Sequence, residues 1–167
     1  TGSTQTGRAI IDAAKVNFKR VQLELGGKSP TFVFADADLA KAIPAAAMSI
    51  FFNAGQVCAA GSRLFVHEKV ADQVLEGVAG MARMLKVGGT LDPQTQIGPL
   101  VSPEQLERVT GYIELGKQEG ASVLVGGNRI GESGNFVEPT VLLETGPGAR
   151  VRQEEIFGPG LCAMRFS

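Results

Sequence analysis

Short apolar runs bounded by turn residues alternate along this chain with segments of helical period, and that alternation restricts the fold more than any other feature. Arg20–Leu25, Thr31–Phe34, Arg63–His67, the run ASVLVGG from Ala121 and Leu161–Phe166 have strand chemistry. Phe136–Leu143 is extended as well, with Pro139 pushing it toward a sheet edge or a bulge. Between these runs, apolar residues recur at helical spacing: Ile11, Ala14 and Phe18 behind a Ser3 N-cap; Leu39, Ile43, Ala47 and Ile50; Val70, Val74, Val78, Met81 and Leu85; Leu106, Val109 and Ile113. Asp38 is placed to cap the second helix, and Pro44 should kink it or mark its true first turn. Ser102-Pro103-Glu104-Gln105 reads as a capping box with proline at the first helical position. Such alternation predicts an α/β protein, an open, mainly parallel twisted sheet with helices on both faces.

Composition excludes several functions. A net charge of −1 offers no electrostatic footprint for nucleic acid or an anionic membrane. No apolar run approaches the roughly 18 residues of a membrane span. Two cysteines and one histidine, His67, make neither a disulfide framework nor a metal site. With no signal-peptide layout at the N-terminus, a reducing, cytoplasmic setting is expected.

The densest chemistry lies in FFNAGQVCAAGSR, Phe51–Arg63. The apolar pattern breaks at Asn53, Gly55 and Gln56, and Cys58 follows among small residues at a helix-to-loop junction. Read alone, Cys58 is either a small buried hydrophobe, the commoner fate of a free cysteine, or an accessible nucleophile. A nucleophilic thiol needs a base, since free cysteine is mostly protonated near neutral pH. Glu24, between Leu23 and Leu25 and just before Gly26-Gly27, is either an exposed-face residue or that base. Flanking leucines would raise its pKa toward a useful value. At the N-terminus, Gly2-Ser3-Thr4-Gln5-Thr6-Gly7 opens a helix whose free N–H groups suit a phosphate, although neither GxGxxG nor a Walker loop is present. Lys28 reads as a solvated turn charge, Asp36 and Asp38 as turn and cap rather than metal ligands, and Cys162 as inert core. Glu154 and Glu155 read as a solvated turn, and Phe157 as a core aromatic.

LELGGKSP, FFNAGQVC, the opening TGSTQTG and QEEIFGP near the end together resemble the NAD(P)-dependent aldehyde dehydrogenase superfamily, in its order and across the whole chain. The resemblance implies that Cys58 is the nucleophile, forming a thiohemiacetal and then a thioester, and that Glu24 is the general base. It implies that Gly2, Ser3 and Gly7 lie against a dinucleotide pyrophosphate, that Glu155 holds the nicotinamide ribose hydroxyls, and that Phe157 packs near the nicotinamide. NAD or NADP would be the cofactor, an aldehyde the small-molecule substrate, and the whole enzyme a homodimer or homotetramer. The backbone N–H of Cys58 can supply one oxyanion donor. The family's second donor is an upstream asparagine, and Asn53 occupies a different motif position. Gly160 stands where the family usually has a β-branched residue and should loosen the last strand.

By the same resemblance, residues 1–25 would be the tail of the dinucleotide-binding domain and 26–167 a C-terminally truncated catalytic domain. The chain then reads as an internal piece of a longer enzyme, inactive or nearly so by itself, with Cys58 still open to alkylation. Two other classes fit the same thiol and carboxylate: a thiol-dependent acyl hydrolase without redox chemistry, and a non-catalytic structural module on the same scaffold.

Overall fold

The structure, a computed structural model, describes residues 1–167. After α1 (Thr4–Ala14) the chain runs through β1 (Pro30–Val33), α2 (Leu39–Phe51), β2 (Arg63–His67), α3 (Ala71–Met84) and α4 (Pro103–Gln118). Then come β3 (Ser122–Val125), β4 (Arg129–Ile130), β5 (Phe136–Val137), β6 (Thr140–Leu143), α5 (Arg150–Gln153) and β7 (Gly160–Phe166). Five strands form one sheet in the order β1-β2-β7-β6-β3, parallel except for β3 at one edge, and β4 pairs with β5 separately. Parallel neighbours cannot be joined by a tight turn, so the helices serve as crossovers.

Alternation along the strands divides the side chains between the two faces. One face carries Val33, Leu64, Val66, Val141 and Leu161, all buried beneath α2 and α3. On the opposite face α4 and α5 cover Leu142 and Cys162. Gly116 of α4 lies so close to Leu142 and Val151 that a β-carbon there would be about 3 Å from both. Farther along this face Phe32 stacks on Phe65 at 4.8 Å between ring centroids, and Phe32 remains 54% exposed.

Three local expectations change. Arg20–Leu25 is not a strand: residues 18–29 lie in no helix or strand, because no other strand runs beside them to complete a ladder. Ile11 and Phe18 form no buried stripe. Phe18 adopts φ 55° just after α1 and is 93% exposed, and the helix packs instead on its Gly7 side, against Leu23 and Leu25. Pro44 does not mark the first turn of α2, which starts at Leu39 with the Asp38 carboxylate accepting from the N–H of Ala40 at 3.1 Å. Gly160 begins β7 in regular register opposite Thr140.

Candidate active site

The helix α2 delivers the chain to the site and then stops abruptly. Asn53, Ala54 and Gly55 follow with φ of 53°, 54° and 71°, three consecutive left-handed residues. Gly55 must be glycine for a second reason, since a side chain would run into the backbone of Gly158. Asn53 tolerates this conformation and donates from Nδ2 to the Gln56 carbonyl at 3.2 Å. The reversal ends in a turn closed by Ala60 N–H to Val57 O at 3.0 Å, with Cys58 exposed inside it. The N–H of Cys58 donates to no backbone carbonyl.

Cys58 opens into a cleft of about 370 Å³. Glu24, Leu25 and Gly26 line it, with Gly2 and Ser3 at the entrance to α1 and Glu155 and Phe157 beside the glycine loop. The thiol, the candidate base and four of the five candidate cofactor residues therefore meet in one cavity. Gly7 does not line it and is buried under Leu25. Glu24 is solvent-exposed, so Leu23 and Leu25 do not screen its carboxylate; its nearest partner is the Gln22 amide, which donates at 3.4 Å.

The two neighbouring acids separate sharply. Glu154 turns away to Arg150, at 2.8 and 3.0 Å, and to the Tyr112 hydroxyl at 2.5 Å. The Arg150 guanidinium first and the Tyr112 hydroxyl second hold its carboxyl down to about 2. Glu155 faces the cleft, where its Oε1 accepts the N–H of Gly27 at 3.1 Å. Neither is a purely solvated turn residue. Phe157, with φ 61°, is partly exposed on the wall instead of buried in the core.

Two residues of this cleft carried no sequence signal for a site. Gln105 does not complete the capping box: Ser102 accepts from the Gln105 N–H at 3.2 Å, but the Gln105 amide donates to the carbonyls of Ile156 at 3.0 Å and Phe157 at 2.7 Å. Arg108, one turn on, donates to the carbonyls of Glu155 and Ile156. Lys28 also departs from expectation. Its Nζ is shut off from solvent with no hydrogen-bond partner, and burial pushes its pKa down. Cys162 is buried, its thiol donates to the Val151 carbonyl at 3.1 Å, and burial pushes its pKa up, all of which suit an inert core residue.

A sequence model of the aldehyde dehydrogenase family matches residues 1–167, the same span that holds this cleft. The chain belongs to the aldehyde dehydrogenase family.

Among its relatives, the hydroxyisobutyraldehyde dehydrogenase of Mycolicibacterium austroafricanum is 48% identical over 170 residues, covering 100% of this chain and 34% of that protein. The mitochondrial aldehyde dehydrogenase of Leishmania tarentolae is 47% identical over 167 residues, covering 99% and 34%. A Bacillus cereus aldehyde dehydrogenase solved as an NAD+ complex superposes with a TM-score of 0.97 at 46% identity, over 99% of this chain and 34% of that one. The chain thus spans about a third of the length of the aldehyde dehydrogenases it matches. Within that third lie both Cys58 and Glu24. No helix is long and apolar enough to cross a membrane.

Proposed function

We propose that this chain carries the catalytic centre of an NAD(P)-dependent aldehyde dehydrogenase, an enzyme that oxidises an aldehyde to a carboxylic acid. Residues 1–25 are then the tail of the dinucleotide-binding domain and residues 26–167 the thiol-bearing catalytic domain. The observation that carries this reading is that Cys58, Glu24 and Glu155, remote in sequence, line a single open cleft.

The residues present suit a dinucleotide. The first turn of α1 offers N–H groups at the cleft beside Gly2 and Ser3, a setting that favours a pyrophosphate. Glu155 presents carboxylate oxygens to vicinal hydroxyls, and Phe157 offers an apolar surface to a flat ring. When bound, the nicotinamide supplies the acceptor for the hydride that leaves the aldehyde carbon.

In this reading Glu24 removes the thiol proton, and the Cys58 thiolate attacks the aldehyde carbon. A C–S bond forms while the carbonyl π pair moves onto oxygen, where the free N–H of Cys58 stabilises the developing charge. After oxidation the acyl group remains on Cys58 as a thioester, and Glu24 passes the thiol proton on to solvent and returns to the carboxylate. Glu24 then draws a proton from water, the hydroxyl adds to the acyl carbon, and the thiolate departs as the leaving group. One sulfur serves as nucleophile and leaving group because thiolates are competent at both.

The test is growth of the reduced-nicotinamide absorbance on adding an aldehyde and NAD+ to the longer protein that carries this chain. Cys58→Ser should abolish it, and Glu24→Gln should slow it by about 10²- to 10⁴-fold, the usual worth of a general base. The isolated 167-residue chain should turn over little while remaining alkylated at Cys58. Cofactor-independent ester cleavage with no reduced nicotinamide would overturn the reading in favour of a thiol hydrolase.

A further inference from the structure

The segment that carries Glu24 is weakly held. Residues 18–29 belong to no helix or strand, so no ladder sets where the Glu24 carboxylate points. Its fastenings are few. The N–H of Gly2 donates to the Glu24 carbonyl at 3.0 Å, and Arg63 donates from Nε to the Lys28 carbonyl at 2.8 Å. Between these two points, besides the packing of Leu25 on Gly7, the only further hydrogen bond is the N–H of Gly27 to Oε1 of Glu155.

That tie is closely built. The Glu155 carboxylate lies directly on Gly26, where even a β-carbon would overlap it, the carboxyl carbon being 2.6 Å from that position. On its other side the same loop presses against the nucleophile's turn: a β-carbon on Gly27 would sit 2.9 Å from the carbonyl oxygen of Cys58. Glu155 is itself immobilised through its own carbonyl and the next two, which Arg108 and Gln105 of α4 hold. A continuous contact path thus runs from α4 through Glu155 and Gly27 to both reacting groups.

We infer that Glu155 is a positioning residue for the Glu24–Cys58 pair, acting through the Gly27 N–H, in addition to any contact it makes with a cofactor. Its two oxygens divide the work. Oε1 fixes the glycine loop, and Oε2 is left to accept from a ligand hydroxyl. The inference rests on the proposed roles of Cys58 and Glu24. It also predicts behaviour in the complete absence of cofactor, where a residue that only holds a ribose would be silent.

The experiment is alkylation of Cys58 by iodoacetamide in the 167-residue chain without nucleotide, followed by peptide mass spectrometry across the thiol's titration range. Glu155→Ala should slow the reaction roughly three- to tenfold, the equilibrium worth of one lost hydrogen bond, and displace the pH profile toward that of Glu24→Gln. Glu155→Gln keeps an acceptor oxygen and should recover most of the lost rate. Amide exchange supplies a readout independent of Glu24: the Gly27 N–H should exchange at least about tenfold faster in Glu155→Ala. In the unsubstituted chain its resonance should move as Glu155 titrates, so the idea can be checked even if the alanine variant does not fold. An unchanged alkylation profile in Glu155→Ala, a glutamine variant as slow as the alanine one, or a Gly27 amide indifferent to Glu155 would each overturn the inference. A profile unmoved by Glu24→Gln, with Gly27 exchange still dependent on Glu155, would instead remove Glu24 as the base and leave the loop tie standing.

Discussion

Gly27 lies directly against the backbone carbonyl of Cys58, with 2.9 Å between that oxygen and the position a β-carbon would take. Gly27 therefore lets the loop that carries Glu24 and the turn that carries Cys58 approach more closely than a side chain would permit. Gly27→Ala must push one of the two segments by several tenths of an ångström. Thermal or denaturant unfolding should show a loss of about 1–3 kcal/mol, the usual cost of overpacking a tight contact. Unchanged stability would mean that the two segments are not in firm contact.

Lys28 gives a prediction of opposite sign. Its ammonium has no partner and no contact with water, and burial depresses its pKa. A lysine depressed in the folded state binds fewer protons folded than unfolded, so stability rises with pH between the lowered value and the ordinary lysine range. Below the lowered value the whole penalty applies. Lys28→Met, close in volume, should stabilise the chain by about 1–3 kcal/mol at a pH below the lowered value. The advantage should shrink in alkaline solution. Denaturant midpoints at a series of pH values would reveal it, and a destabilised variant would contradict it.

Glu154 titrates far below an ordinary glutamate, at about 2, because Arg150 and then Tyr112 donate to its ionised form. The ionised carboxylate favours folding, so this contribution is complete above the ordinary glutamate range and disappears as pH falls through about 2. Tyr112→Phe removes one donor. Carbon-detected NMR titration should then find the Glu154 carboxyl moved up toward the ordinary range.

Gly160 has room for a side chain. A β-carbon there would meet only Ile156 Cδ1, at 3.8 Å, and the residue borders a small void that also touches Gly27 and Ser62. Gly160→Ala should raise stability by about 0.4–1 kcal/mol through reduced freedom of the unfolded chain. A higher melting temperature with unchanged Cys58 alkylation is the expected result.

Residues with local signals are legible in the sequence. Asp38 and Ser102 cap their helices as their position before an apolar stripe suggests, and β2 and β7 occupy the runs whose composition marks them as strands. The motif around Cys58 and the one around Glu24 were both recognisable in the chain. Gln105 shows where such reading ends. Its place three residues after Ser102 is that of a capping side chain, yet the carbonyls of Ile156 and Phe157 lie within reach and take its amide. Lys28 likewise looks like a turn charge until the folded chain shuts its Nζ away from solvent.

The order of most elements, their periods and the candidacy of Cys58 and Glu24 follow from the sequence, because each is written in neighbouring residues. Which of Glu154 and Glu155 faces the cleft, whether Arg20–Leu25 has a strand to pair with, and how near Gly27 comes to Cys58 were settled only by the tertiary structure. Those outcomes depend on segments far apart in the chain competing for the same donors and the same space, and no local pattern records the winner.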